Sequence, residues 1–226
     1  MNALILDGLH ELKEDFTQYF QNKRQAPRVW RLRERSPIQL KEFVWKEYSL
    51  IMKEKGVEAA YRWSSFLFSG WKDKKIRQYA KKIWKSELSS KDPASVSPYK
   101  EMVGLVRFLL ESKWKVLIVT ASPDKIIEEV SSVFYLPKEN VIGMKLKEAD
   151  GISTPKIIEP YTYGEGKVKA IQERVGVNPD LAFGDSENDF PMLKSATRFG
   201  VLIDKGNLEL AEKCRKLNCL IQPMFR

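Results

Sequence analysis

Histidine, cysteine and long apolar runs are what this chain has least of. In 226 residues it carries one histidine, His10, and two cysteines, Cys214 and Cys219. Two cysteines make neither a disulfide framework nor a four-ligand zinc site, so both are expected as reduced thiols. His10 has no visible partner and reads as a polar loop or surface residue. No apolar stretch approaches the roughly 18 residues of a membrane span, which excludes a spanning helix. Near the amino terminus, Asp7, Glu11, Glu14 and Asp15 follow a very short apolar stretch, the wrong charge pattern for a secretory or organelle leader. A cytoplasmic protein is the expectation.

Positive charge, by contrast, is in excess, with 39 Lys and Arg against 30 Asp and Glu. Residues 21–100 hold 20 Lys and Arg against 8 Asp and Glu, so that segment carries +12 and the rest of the chain −3. Such a field attracts phosphates of any kind, whether on a metabolite, a nucleic acid or a membrane surface. The length allows one ordinary domain and a smaller inserted one.

From about residue 96 the sequence alternates helical and strand patterns, the rhythm of an α/β, doubly wound parallel sheet. Residues 102–110 form an amphipathic helix and 116–119 a strand, after which Ser122 and Pro123 read as a cap and first helical residue. A strand at 141–146 and an Asp150-Gly151 turn leading to Ile157-Ile158 suggest a hairpin. Helices at 166–175, 191–195 and 207–217 then alternate with strands at 181–183, 199–203 and 220–221. Residues 14–95 break this rhythm: they lack strand alternation, are rich in Lys, Arg, Trp and Tyr, and show helical spacing. We therefore expect a core of residues 1–13 and 96–226 and a helical cap at 14–95, joined through a Ser- and Pro-containing hinge near residues 89–98.

The stretch 181–193 is the most informative. An apolar strand stops at Gly184, expected to make a tight turn, and runs into Asp185 and Asp189, with Ser186 placed to cap a helix near Asn188. Two carboxylates four residues apart, at a strand's carboxyl end, suit a hard cation such as magnesium. In doubly wound sheets the ligand sits beyond those strand ends.

Four features stand in chain order at strand ends or helix starts: Asp7 after Ala3-Leu4-Ile5-Leu6; Thr120 and Ser122 after the strand at 116–119; Lys167 after Tyr163-Gly164-Glu165-Gly166; Asp185 with Asp189. This order, with a helical insert between the first two, resembles the haloacid dehalogenase superfamily, closest to its phosphoserine and phosphorylcholine phosphatase-like branch. The resemblance is specific over residues 98–203 and implies a Rossmann-like core with an α-helical cap. It also implies a magnesium-dependent phosphomonoester hydrolase of small phosphorylated metabolites, working through an aspartyl-phosphate. On that footing Asp7 is the nucleophile, Thr120, Ala121, Ser122 and Lys167 hold the phosphoryl group, and Asp7, Asp185 and Asp189 hold Mg2+.

The first motif of that family, Asp, any residue, Asp, any residue, Thr or Ser, is matched here by Asp7-Gly8-Leu9-His10-Glu11. Leu9 stands where a general acid and base belongs, and leucine cannot move a proton. Three readings follow: a first motif lost upstream by truncation or a misplaced start, a phosphate- and magnesium-binding protein that turns over poorly or not at all, or a superfamily reaction that does without the second aspartate. The cap tryptophans Trp30, Trp45, Trp63, Trp71 and Trp84 fit a cap core better than a cage for a quaternary amine, since +12 of charge repels a cation. Interleaved basic and aromatic residues also fit a nucleic-acid binder. With no recognised binding motif, nucleic acid stands behind a small metabolite as the expected partner.

Overall fold

The computed structural model describes residues 36–91, 95–217 and 219–225, together with Arg24, Pro27 and Arg31. Asp7, Leu9, His10, Glu11 and Trp30 lie outside the described residues. Contacts divide the chain into two compact units: one with Ser122–Ser132, Lys145–Ile158 and the chain up to Ser97, the other with Pro98–Ala121, Val133–Met144 and Glu159–Arg226.

The first unit is built on helices α1 (Pro37–Lys55), α2 (Val57–Phe66) and α3 (Asp73–Ser89). The Ser36 hydroxyl accepts the Gln39 N–H at 3.4 Å, and proline occupies the first turn of α1. Both features favour a helix start. The helix stops at Gly56, whose φ of 88° ordinary side chains avoid. Leu40, Ile51, Ala60, Trp63, Phe68 and Trp71 fill the core. The Trp71 ring meets Phe68 at 5.5 Å and Tyr79 at 5.8 Å, edge to face. Trp63 and Trp71 are thus core residues, while Trp45 is 41% exposed.

Strands β1 (Ile118–Pro123), β2 (Val141–Ala149) and β3 (Ile152–Ile158) are successive neighbours in one sheet. The expected hairpin joins β2 and β3: Asp150 and Gly151, with φ of 52° and 71°, make the two-residue turn between the paired Ala149 and Ile152. The expectation for Ser122 and Pro123 is corrected. Both belong to β1, which runs later than residues 116–119, and helix α5 (Asp124–Val130) begins only at Asp124. A local Ser-Pro start signal lost to continued strand pairing.

The second unit carries helix α4 (Lys100–Glu111) and then α6 (Glu165–Val175), β4 (Leu181–Gly184), α7 (Phe190–Ser195), β5 (Phe199–Asp204), α8 (Leu208–Lys216) and β6 (Leu220–Pro223). β4, β5 and β6 form a parallel sheet in that order, with Gly184 opposite Leu202 and Asp204 opposite Pro223. Ile142, Ala170, Ile171, Ala182, Leu193, Leu202, Leu210 and Cys214 make its core. Parallel neighbours end at the same level, so residues following β4 and β5 emerge side by side. No helix among the described residues is long and apolar enough to cross a membrane.

Candidate functional site

Beyond the ends of β4 and β5 the second unit gathers charged and polar side chains. Lys167 sits in the first turn of α6 and is 4% exposed. Its turn is tight: a Cβ at Gly166 would stand 1.7 Å from the Tyr161 carbonyl oxygen, so only glycine fits there. The Lys167 ammonium donates to the carboxylate of Asp189, itself 7% exposed, and reaches the Val119 carbonyl of β1 at 3.5 Å. Lys167 therefore lies beside the strand that carries Thr120.

The second oxygen of Asp189 accepts the Asp185 backbone N–H at 3.1 Å and the Ser186 hydroxyl at 2.7 Å. Burial pushes the Asp189 pKa up, but the Lys167 charge and these hydrogen bonds outweigh it and hold the carboxyl below its ordinary value. Ser186 thus does not cap α7, as expected from its position. That helix opens at Phe190, and Ser186 instead orients Asp189. Gly184 is needed for a different reason than a turn. A Cβ on it would sit 2.4 Å from the Asp189 Cβ, so glycine lets Asp189 fold back against the strand end.

Asp185 points outward, with 42% of its side chain exposed, and pairs with Lys205. The hydrogen bond to Asp185 raises the Lys205 pKa against the cost of partial burial. Two further hydrogen bonds tie the loop before α6 to its neighbours. Thr162 donates its hydroxyl to the Thr120 carbonyl at 2.5 Å, and the Gly164 N–H donates to the Asn188 side-chain oxygen at 2.6 Å.

Of the residues expected at a site, Lys167, Asp185 and Asp189 come together, with the backbone of Thr120 held by the same loop. Ala121 is buried in β1. Ser122 falls in the other compact unit, and Asp7 lies outside the described residues. Lys205, Thr162 and Asn188 escape a reading of the sequence. Lys205 had a usable signal, since it follows β5 directly as Asp185 follows β4, and those strands are parallel neighbours.

Among the described residues no three carboxylate, histidine or cysteine side chains cluster as a metal cage. Magnesium needs no such cage: it keeps several waters and takes one or two carboxylates plus phosphate oxygens. The partly exposed Asp185 carboxylate fits that demand, and Asp189, already engaged on both oxygens, fits as its orienting neighbour.

A sequence profile described as haloacid dehalogenase-like hydrolase matches residues 10–194. No curated protein matches the chain in sequence. Among solved structures, a conserved protein of unknown function from Anaerococcus prevotii DSM 20548 superposes with a TM-score of 0.69 at 20% identity, covering 95% of this chain and 78% of that one. A protein of unknown function from Bordetella pertussis Tohama I gives 0.69 at 16% identity, over 94% of this chain and 92% of that one. A phospho-aspartyl intermediate analogue of phosphoserine phosphatase gives 0.53 at 18% identity, over 94% and 87%. At these identities the likenesses show the fold.

Proposed function

The chain belongs to the haloacid dehalogenase-like hydrolase family, and from that premise we propose that it is a magnesium-dependent phosphomonoester hydrolase acting on a small phosphorylated metabolite. The buried Lys167–Asp189 pair, joining the start of α6 to the start of α7, beside the outward-facing Asp185 that follows β4, carries this reading. A fixed ammonium and hard carboxylates at strand ends are what a phosphoryl group and its counter-ion require. Magnesium, when bound, supplies positive charge against the phosphoryl oxygens.

The chain's own residues then take these parts. The carboxylate of Asp7 attacks phosphorus, and the bond to the leaving oxygen breaks with its electron pair going to that oxygen. Thr120 and Lys167 hold the phosphoryl oxygens, with Ala121 and Ser122 completing the substrate contacts. Asp189 holds the Lys167 ammonium in place, and Asp185 would hold magnesium. The leaving oxygen needs a proton, which Leu9 cannot give, so turnover is slow.

The same leucine favours a second reading, a catalytically inactive protein that binds phosphate and magnesium. Release of nitrophenolate from p-nitrophenyl phosphate, with magnesium and with chelator, tests the first. A slow magnesium-dependent rate that Asp185→Asn abolishes supports hydrolysis. Background rates in all samples, with inorganic phosphate still bound, establish the inactive binder instead.

A further inference from the structure

The helical unit presents a surface that phosphate-ester hydrolysis does not use. Helix α3 turns its apolar side into the protein, with Ile76 3% and Ala80 2% exposed. On the outer side Lys74, Lys81 and Lys85 are all exposed. At 3.6 residues per turn these three positions fall within about 40° of arc and span roughly 16 Å along the axis. Gln78 and the half-exposed Leu88 lie in the same row, and no acidic residue does.

Among the described residues, carboxylates on and around α3 are engaged elsewhere. Asp73 pairs with Arg77 at 3.0 Å and Lys125 at 3.2 Å, and Arg77 also holds Glu128 at 2.5 Å and Glu129 at 3.3 Å. Glu148 pairs with Lys125, and Glu87 accepts the Val96 N–H at 2.7 Å. Lys74, Lys81 and Lys85 make no ion pair among the described residues. They sit within the segment that carries +12.

We propose that the Lys74–Lys81–Lys85 row of α3 is a docking surface for the phosphodiester backbone of nucleic acid. Three features select this partner. A row that runs along the helix axis matches a linear polyanion, whereas a lipid surface is planar. A membrane-lying helix also inserts its apolar face, and that of α3 is buried in the protein. The α3 aromatics, Tyr79 and Trp84, lie off the row, and Tyr79 packs on Trp71, so the row offers charge without a stacking platform. Binding is therefore independent of base sequence and set by counter-ion release.

The test is fluorescence anisotropy of the full chain with labelled duplex DNA of about 20 base pairs, in two unrelated sequences, between about 50 and 200 mM salt. Both duplexes are expected to bind alike, with affinity falling steeply with salt. The triple variant Lys74→Gln, Lys81→Gln, Lys85→Gln is expected to bind about tenfold more weakly or worse at low salt, and the log–log salt slope to flatten by about 2.7, roughly 0.9 for each phosphate no longer neutralised. If the triple variant melts lower than wild type, Lys81→Gln alone replaces it, with an expected flattening of about 0.9. An unchanged slope in a folded variant overturns the proposal. So does binding to phosphatidylserine vesicles with none to duplex, or no binding to either.

Discussion

Lys167 and Asp189 meet ammonium to carboxylate with only 5% and 10% of their side chains exposed. Neither is adjacent to the other in sequence: one opens α6 and the other precedes α7, and the backbone N–H of Asp185 and the Ser186 hydroxyl complete the carboxylate's partners. A buried pair of this kind contributes little net stability relative to apolar packing, but losing one member strands the other.

Asp189→Asn leaves the Lys167 ammonium buried without its counter-charge. The expected loss is about 3–5 kcal/mol of stability. Denaturant unfolding measures it, and a change below about 1 kcal/mol would show that Lys167 finds water or another partner.

Gly184→Ala puts a methyl group 2.4 Å from the Asp189 Cβ and 2.9 Å from its Cγ. Overpacking at such a site costs about 1–3 kcal/mol, and here it also moves the carboxylate. The variant should melt lower and bind magnesium more weakly than wild type. Titration calorimetry with unchanged affinity would mean that Asp189 does not orient Asp185, the residue proposed to hold magnesium.

Asp124 titrates in the opposite sense to Asp189. It is 7% exposed in a cleft with Lys125, Lys145, Leu146, Glu148 and Ile158, and it accepts the Lys125 backbone N–H at 2.7 Å. Burial, with the nearby Glu128 charge, raises its pKa, and the Lys125 N–H and the Lys145 and Lys125 charges only partly offset this. A carboxyl raised on folding binds its proton more tightly when folded, so stability falls as pH rises from the unfolded value near about 3.9 through the folded one. Asp124→Asn should therefore stabilise the protein at about pH 7 and lose that advantage below about pH 4. Melting curves at the two pH values decide it; equal shifts at both would refute the burial argument.

Cys214 and Cys219 occupy the third-from-last helical position of α8 and the third residue beyond its end, and the Cys219 N–H donates to the Cys214 carbonyl at 3.0 Å. That is the long hydrogen bond of a helix C-terminal motif whose two end residues pack together. Burial pushes the Cys214 thiol up to about 11 and raises Cys219 as well. Both thiols should react with a disulfide reagent far more slowly than in the denatured chain. Rapid native labelling of two thiols would contradict this.

Much of the fold was legible because it rests on local signals. Asp150-Gly151 announces its turn, and the apolar runs at residues 181–183 and 199–203 announce strands. What local signals missed was decided by pairing across the chain. Ser122 and Pro123 carry the marks of a helix start, yet the β1 ladder extends through them. Ser186 carries the marks of a cap, yet it lies three residues before Asp189, which holds the N-cap position of α7, and its hydroxyl donates to the Asp189 carboxylate. Lys205 looks like an ordinary surface lysine until β4 and β5 are known to be parallel neighbours.

If Lys167 at the start of α6, Asp185 after β4 and Asp189 before α7 form the proposed magnesium and phosphate site, magnesium binding depends on the Asp185 carboxylate. Titration of magnesium into the protein with inorganic phosphate present, for wild type and Asp185→Asn, measures that dependence. One magnesium site is expected in the wild type, and Asp185→Asn is expected to abolish it. Equal magnesium affinity in the two proteins would contradict it.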